Sequence, residues 1–382
     1  MKKTVLILAD TNLLIDGRIR RHIFFLKDNY NLIVTGTNNP NIEQFIDFID
    51  CSKKSINLEE LDRRRRLLRY RMNNKKFEEA YWEEEYIKEL YVNLKDKKID
   101  IILANDISII PLGVKIAKER GIKIIADMHE YAPKEFSDDY EWNCLFADYK
   151  YYLCATYLKE CDEIITVSKG IAKEFKKEFG IKVNVLTNAP KCGELEIKET
   201  NSTSIKIVYH GVANSSRKIE NILSVVEKLD NRFSLDLYLI EDGSDHYENL
   251  VRKINYTSRC NLKKAVPPEE IVEMLHKYDI GIFLLEPVNL NYEYALPNKF
   301  FEFVQASLAV AIGPSKEMKN YVEKYKCGVV SKDFNPETLA DKLNSLTTQD
   351  IDKYKKNSNE LSKVENAENN KLKLLELIKG LD

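Results

Sequence analysis

Short apolar runs rich in valine and isoleucine recur along the chain at Thr4 to Ala9, Leu32 to Thr35, Ile101 to Ala104, Lys123 to Ala126, Glu163 to Val167 and Val183 to Leu186. Runs that do not alternate with polar positions are what strands buried on both faces look like. Between them lie stretches with helical spacing, such as Pro111 to Arg120 and Lys169 to Phe179. Buried strands alternating with amphipathic helices predict a doubly wound α/β domain, a parallel sheet covered by helices.

The pattern lapses over residues 188–204 (NAPKCGELEIKETNSTS), a polar stretch with Pro190 and Gly193 that reads as a linker. It then resumes, with strands near Ile205 to Tyr209, Ser234 to Ile240, Ile280 to Leu285, Ala309 to Ile312 and Gly328 to Val330. Helical stretches lie between them at Arg217 to Leu229, Pro268 to Lys277, Pro297 to Ala306 and Pro336 to Leu346. This reading gives an N-terminal domain over 1–190, a C-terminal domain over 204–348, and charged helices over 349–382 for which a return to the first domain is one course. Two such domains leave a cleft between them.

Length agrees with two cores, since 382 residues exceed the size at which one core keeps growing. An apolar fraction of 44% with 15 Phe and 21 Tyr excludes a disordered chain. The formal charge of −2, from 59 basic and 61 acidic residues, provides no global field for nucleic acid, which is excluded as a partner.

Seven cysteines without a CxxC pair or zinc-like spacing point to a reducing cytoplasm and to no structural metal. The opening MKKTVLILAD has too few apolar residues for a signal-peptide core and reads as a first strand. No apolar run approaches the roughly 20 residues that span a bilayer, so membrane contact is at most peripheral, on the inner face of the cell membrane. Two segments bear on that contact. Leu58 to Leu90, with the run Arg63 to Arg66, reads as a solvated helix pair or as a basic patch for an anionic lipid or acceptor. The aromatic-rich Tyr140 to Tyr157 reads as helical core or as an acceptor- or lipid-facing surface.

Ligands of open α/β sheets collect at the carboxyl ends of strands, which directs attention to the strand-to-helix loops. After the first strand of the second half the chain reads YHGVANSSRKIENIL. Gly211 supplies a tight turn, and the expectation is a helix starting at Ser215 and Ser216 with Arg217 and Lys218 in its first turn. Cations are otherwise unfavourable there, and with free N–H groups they suit a diphosphate; a merely solvated helix start is the alternative. The second constellation is NYEYALPNKFFEFVQASLAVAIGPS, residues 291–315. Pro297 suits a first helical turn, and Phe300 and Phe303 give that helix an apolar face. Glu302 is then either a solvated carboxylate or an acceptor for the paired hydroxyls of a ribose, with Lys299 balancing phosphate charge.

The stretch ALPNKFFEF resembles the signature helix of the family 4 glycosyltransferases of GT-B fold, particularly those of bacterial capsule, lipopolysaccharide and exopolysaccharide assembly. DGRIRRHIFFL at 16–26, ADMHEYAP at 126–133, DEIITVSKGIAKEF at 162–175 and HGVANSSRKIENIL at 210–223 agree with it. The resemblance implies two Rossmann-like domains facing across a cleft. It also implies a retaining transfer from a nucleotide-sugar donor, by default a UDP-sugar, to a glycan or lipid-linked acceptor, with no metal and no cofactor. Asp-Gly-Ser-Asp at 242–245 comes closest to a metal-binding DxD and reads as a turn.

Residue by residue, the resemblance places Glu302 on the donor ribose and Arg217 or Lys218 on the diphosphate. Gly211, Leu296, Pro297, Asn298 and Lys299 line the donor. Val212 stands where the family's usual Arg follows the glycine, and Tyr294 stands where the first motif glutamate would fall, with Glu293 beside it. Glu293, Tyr294 and the adjoining backbone therefore share the contact to the sugar. His129 matches the active-site histidine, while Asp16, Gly17, Arg18 and Glu130 lie on the acceptor side. Two other functions fit the same scaffold: an inactive GT-B partner of another transferase, or a nucleotide-sugar epimerase or phosphorylase-like enzyme.

Overall fold

The computed structural model describes residues 2–40, 45–51, 64–71, 76–193, 195–241 and 243–381. The chain forms two compact units. The first comprises Met1–Leu186 with Asn289–Asn291 and Lys371–Asp382, the second Thr187–Val288 with Tyr292–Asn370.

In the first unit a seven-stranded sheet has the order β3-β2-β1-β4-β5-β6-β7. Its strands are β1 (Thr4–Leu8), β2 (Asn31–Gly36), β3 (Asp47–Asp50), β4 (Ile101–Asn105), β5 (Lys123–Met128), β6 (Glu163–Thr166) and β7 (Asn184–Val185). All pairings are parallel, for example Val5 with Leu32 on one side and with Ile101 on the other. Every residue of β1 and β4 is buried, which the uninterrupted apolar runs foretell.

The second unit carries a six-stranded parallel sheet, β10-β9-β8-β11-β12-β13. Here β8 is Ile205–Val212, β9 Phe233–Ile240, β10 Cys260–Lys264, β11 Ile280–Phe283, β12 Ala309–Ile312 and β13 Gly328–Val330. The doubly wound α/β architecture expected from the sequence is present in both halves. Only β3 and β10 escape the sequence reading. Both are edge strands, and their sequences DFID and CNLKK lack an apolar run because an edge strand is not buried on both faces.

One packing detail positions the helix expected to carry the chemistry. A side chain on Gly281, in β11, would start 2.3 Å from the ring of Phe303. The glycine lets that ring lie flat on the sheet and so seats the helix Asn298–Gln305 against it, with Phe300, Phe301 and Phe303 fully buried. On the first unit, residues 64–71 are helical, followed by the helices Phe77–Trp82 and Glu85–Leu94; residues 58–63 of the charged segment, including Arg63, lie outside the described residues. Arg66 and Arg69 pair with Glu84 and Glu83 inside this segment, and Arg64 and Arg71 pair with Glu141 and Asp148 of the aromatic segment, so these four described arginines are matched by carboxylates of the same unit. Within the aromatic segment Tyr149, Phe146 and Tyr157 are buried while Tyr140 is 85% exposed, so it is core on one side and surface on the other. Among the described residues no helix is long and apolar enough to cross a membrane.

Candidate active site

In each sheet the strand order reverses beside the first strand, between β1 and β4 in the first unit and between β8 and β11 in the second. Loops leaving the carboxyl ends of strands at such a reversal diverge to opposite faces and leave a crevice. In the second unit these are the loops after Val212 and Phe283, and the sequence places Gly211, Arg217, Lys218 and the NYEYALPNK segment on or next to them.

The loop after β8 departs from expectation. Arg217 and Lys218 are not in the first turn of a helix. Asn214 Oδ1 accepts from the Ser216 N–H at 2.9 Å and from its hydroxyl at 2.8 Å, which folds Ser215–Arg217 into a 3₁₀ turn. Lys218 then adopts a left-handed conformation, with φ of 46°, and the α-helix begins only at Glu220. A non-glycine residue held there is a strained feature of order 1 kcal/mol, of the kind found at ligand-binding loops. The local side-chain turn prevails over the helical pattern because asparagine's short amide competes for backbone N–H groups. Lys218 Nζ is 2.5 Å from Glu286 Oε2, on the loop after β11, and both side chains are largely exposed.

Glu302 stands on the helix Asn298–Gln305, with its side chain 16% exposed and Oε2 3.2 Å from His210 Nε2. Burial, then the nearby Lys299 and Arg217 side chains, hold His210 well below the ordinary imidazole range, so it is neutral. Lys299 lies deeper, 4% exposed, with Nζ 3.7 Å from the centre of the Tyr209 ring and 4.5 Å from that of Phe283. Pro297 occupies the N-cap rather than the first turn, Leu296 is buried, and Asn298 is exposed. The structure therefore brings Gly211, His210, Lys299 and Glu302 together. His210 and Tyr209 were not singled out in the sequence, although both stand in the YHG triplet.

Glu293 and Tyr294 are organised by a residue the sequence reading did not reach. Lys316 forms an ion pair with Glu293, and its Nζ is 5.1 Å from the centre of the Tyr294 ring. Tyr292 hydroxyl meets Ser216 Oγ at 2.7 Å, tying this segment to the loop after β8. Among the described residues no group of three His, Cys, Asp or Glu side chains has metal-ligating geometry; Asp242 lies outside them.

In the first unit, His129 follows β5 and sits between two carboxylates. Nδ1 is 3.2 Å from Asp106 Oδ2 and Nε2 3.5 Å from Asp127 Oδ2. Arg18 is not presented as a ligand-binding side chain. It is 4% exposed, donates from Nε and Nη2 to Asp127 at 2.6 and 2.7 Å, and from Nη1 to the Leu186 carbonyl at 2.9 Å. Asp16 and Gly17 likewise lie in and against a helix. Asp16 is the N-cap, accepting from the Arg18 and Ile19 N–H groups, and Gly17 opens the helix Gly17–Leu26. Glu130 is exposed beside His129.

Burial alone would push the Asp127 carboxyl up, but Arg18, then His129 and His22, draw it far below the usual carboxylate range. His22, whose Nε2 is 3.3 Å from Asp127, is driven by burial down to about 3 and is neutral. Burial opposes the charge on His129 too, but Asp106 and Asp127 outweigh it and raise the group to about 9. Because this folded-state value exceeds the ordinary 6.5, the stabilisation is complete below about pH 6.5 and lost as pH rises toward 9. The denaturant midpoint of the first unit is expected to fall over that interval, and His129→Gln should flatten the profile; a profile unchanged by the substitution would show that His129 is not the titrating group.

Comparison with known proteins bears on what this arrangement is for. The model described as Glycosyltransferase Family 4 matches residues 51–189, and that described as Glycosyl transferases group 1 matches residues 194–364. No curated protein sequence matches significantly. Among solved structures, HepE of Anabaena in complex with UDP and glucose is similar at a TM-score of 0.71 and 12% identity, over 99% of this chain and 100% of that one. A glycosyltransferase from Rickettsia africae is similar at 0.71 and 15%, over 100% and 98%. An E. coli trehalose-6-phosphate protein bound with UDP-2-fluoro glucose is similar at 0.68 and 11%, over 99% of each. With the two sheets, their order and the two matched models in hand, the chain belongs to the family 4 glycosyltransferases and is a glycosyltransferase of GT-B fold.

Proposed function

We propose that this glycosyltransferase takes its sugar from a nucleotide-sugar donor, by default a UDP-sugar. The acceptor is a glycan or lipid-linked molecule in capsule, lipopolysaccharide or exopolysaccharide synthesis. The observation that carries the reading is the convergence, in the second unit, of the Glu302 carboxylate, the Lys299 amine and the Arg217 guanidinium around Gly211 near the end of β8. A carboxylate suits a ribose diol, and cations suit a diphosphate. Structures of similar fold in complex with UDP and with UDP-glucose support uridine as the default base.

In this reading the charge developing on the departing nucleoside diphosphate is met by Arg217, Lys299 and backbone N–H groups, without a divalent cation. The anomeric configuration is retained, the acceptor hydroxyl attacking on the face from which the diphosphate departs and passing its proton to a diphosphate oxygen. His129 and Glu130 serve the transfer step rather than nucleotide binding. The protein works in the cytoplasm, peripherally on the inner face of the membrane.

Thermal-shift measurements with UDP, GDP, CMP, ADP and dTDP, each with and without EDTA, test the donor class. A ligand that binds only the folded state raises Tm. One nucleoside diphosphate should do so equally in EDTA. Val212 in place of the family's usual arginine, and Tyr294 in place of its first glutamate, favour an inactive scaffold as the second reading; no shift from any of the five ligands would select it.

A further inference from the structure

Lys299 is a buried ionisable group of the second unit that the fold leaves unpaired. Its Nζ has no hydrogen-bond partner among the described residues, and the side chain is 4% exposed. An ammonium normally satisfies three donors, and burying one unpaired is among the costliest arrangements a fold can hold. The faces of Tyr209 and Phe283 offset part of that cost for a charged amine but accept no hydrogen bond.

The charged groups around it do not resolve the matter. On its own helix, Glu302 favours the ammonium, but its Oε2 stands beside His210 Nε2. From the turn after β8, Arg217 opposes the ammonium, and burial opposes it more strongly, together holding Lys299 well below the ordinary lysine range. From β8, His210 is neutral, and the Tyr209 hydroxyl is pushed up to about 12 by burial and does not ionise. Phe283, from β11, contributes no charge.

The direction in which Nζ points gives this amine a use. A Cβ on Gly211 would lie 3.2 Å from Nζ and 3.4 Å from Cε. Gly211 is part-exposed and, lacking a side chain, places none of its own between the buried amine and solvent, on the strand that leads into the turn carrying Arg217. A doubly charged phosphate arriving at that glycine would supply what the site lacks, an acceptor and a counter-charge together.

We propose that Lys299 is a proton-coupled phosphate ligand: its amine takes a proton from solvent when a nucleoside diphosphate enters beside Gly211, so that donor binding consumes one proton. The lone pair of the neutral amine forms the new N–H bond, a buffer acid supplies the proton, and the ammonium then donates to phosphate oxygen. Arg217 draws the diphosphate in; Lys299 becomes charged only when the anion is present. This rests on the donor reading given above.

Calorimetric titration of UDP into the full chain, at about pH 8.5 in buffers of differing ionisation enthalpy, counts the protons exchanged; at that pH free UDP and the neutral His210 hold none of their titrating protons, while His129, in the first unit, already carries its own. Uptake approaching one proton per UDP is expected, falling to near zero in Lys299→Met, with affinity weakened about tenfold or more. Lys299→Arg, charged at every pH, should bind without uptake. The wild-type count needs no variant, so the inference is testable even if Lys299→Met fails to fold. UDP binding without uptake would overturn the inference and leave the donor reading intact. Uptake that disappears between about pH 7 and 8 would assign the proton to His210 and overturn it as well. Absence of binding by UDP and the other four nucleotides would overturn both.

Discussion

Replacing Asp127 with asparagine is expected to remove about 3–5 kcal/mol from the stability of the first unit, because it leaves the Arg18 guanidinium buried without a counter-charge. The carboxylate has no exposed surface and accepts two hydrogen bonds from Arg18 while facing His22 and His129. Asparagine keeps the shape but loses the charge, and its amide would confront guanidinium N–H groups with donors. Urea unfolding followed by a probe in each unit should show the first transition moving and the second staying in place. A double substitution, Arg18→Met with Asp127→Leu, should recover most of the loss, since an apolar pair of similar volume replaces a buried ion pair at little cost. If Asp127→Asn unfolds at the wild-type midpoint, Arg18 has another counter-charge and the network is not what holds that helix to the sheet. The result also bears on His129, whose imidazolium depends on the same carboxylate.

The other large effect is on ligand binding. Glu302→Ala should raise the Kd for UDP about 10- to 100-fold, corresponding to the roughly 1.5–3 kcal/mol of hydrogen bonds to a charged group. Folding should persist, because the carboxylate is on the part-exposed side of a helix held by Phe300, Phe301 and Phe303. Lys218→Ala provides the internal comparison. Its ammonium is engaged by Glu286 and 47% exposed, so its loss should change Kd about threefold or less. A Glu302 variant that binds UDP as the wild type does would take that carboxylate out of the donor site. A Lys218 variant as weak as Glu302→Ala would mean that the ion pair with Glu286 opens on binding.

The distribution of these effects shows how far the sequence can be read. The LPNKFFE segment was legible because its signals are local: a proline before a helix, phenylalanines at helical spacing, and a carboxylate on the remaining face. The loop HGVANSSRK was legible as a loop but not in its shape. Asn214 satisfies nearby N–H groups in a turn, and that short-range competition displaced the expected helix start to Glu220. Arg18 was misplaced for a different reason. A cation near a strand-to-helix loop looks available to a ligand, and nothing nearby in sequence announces an acceptor 109 residues away. The same distance hid His22, which reads as one more polar position on an amphipathic helix.

What the sequence by itself determined is whatever depends on neighbours along the chain: the alternation that makes two parallel sheets, the order of elements, and the segments that carry ionisable side chains to strand ends. Tertiary structure alone decided which of those side chains are buried, which face each other, and which are charged. Asp127 becomes a shared counter-charge because the Arg18 and His22 side chains of one helix reach it near the end of β5, and Lys299 loses its hydrogen-bond partners because its side chain is packed against Tyr209 of β8 and Phe283 of β11. Protonation follows from desolvation and from charges within a few ångströms, and both are properties of packing, which joins residues that the chain keeps far apart.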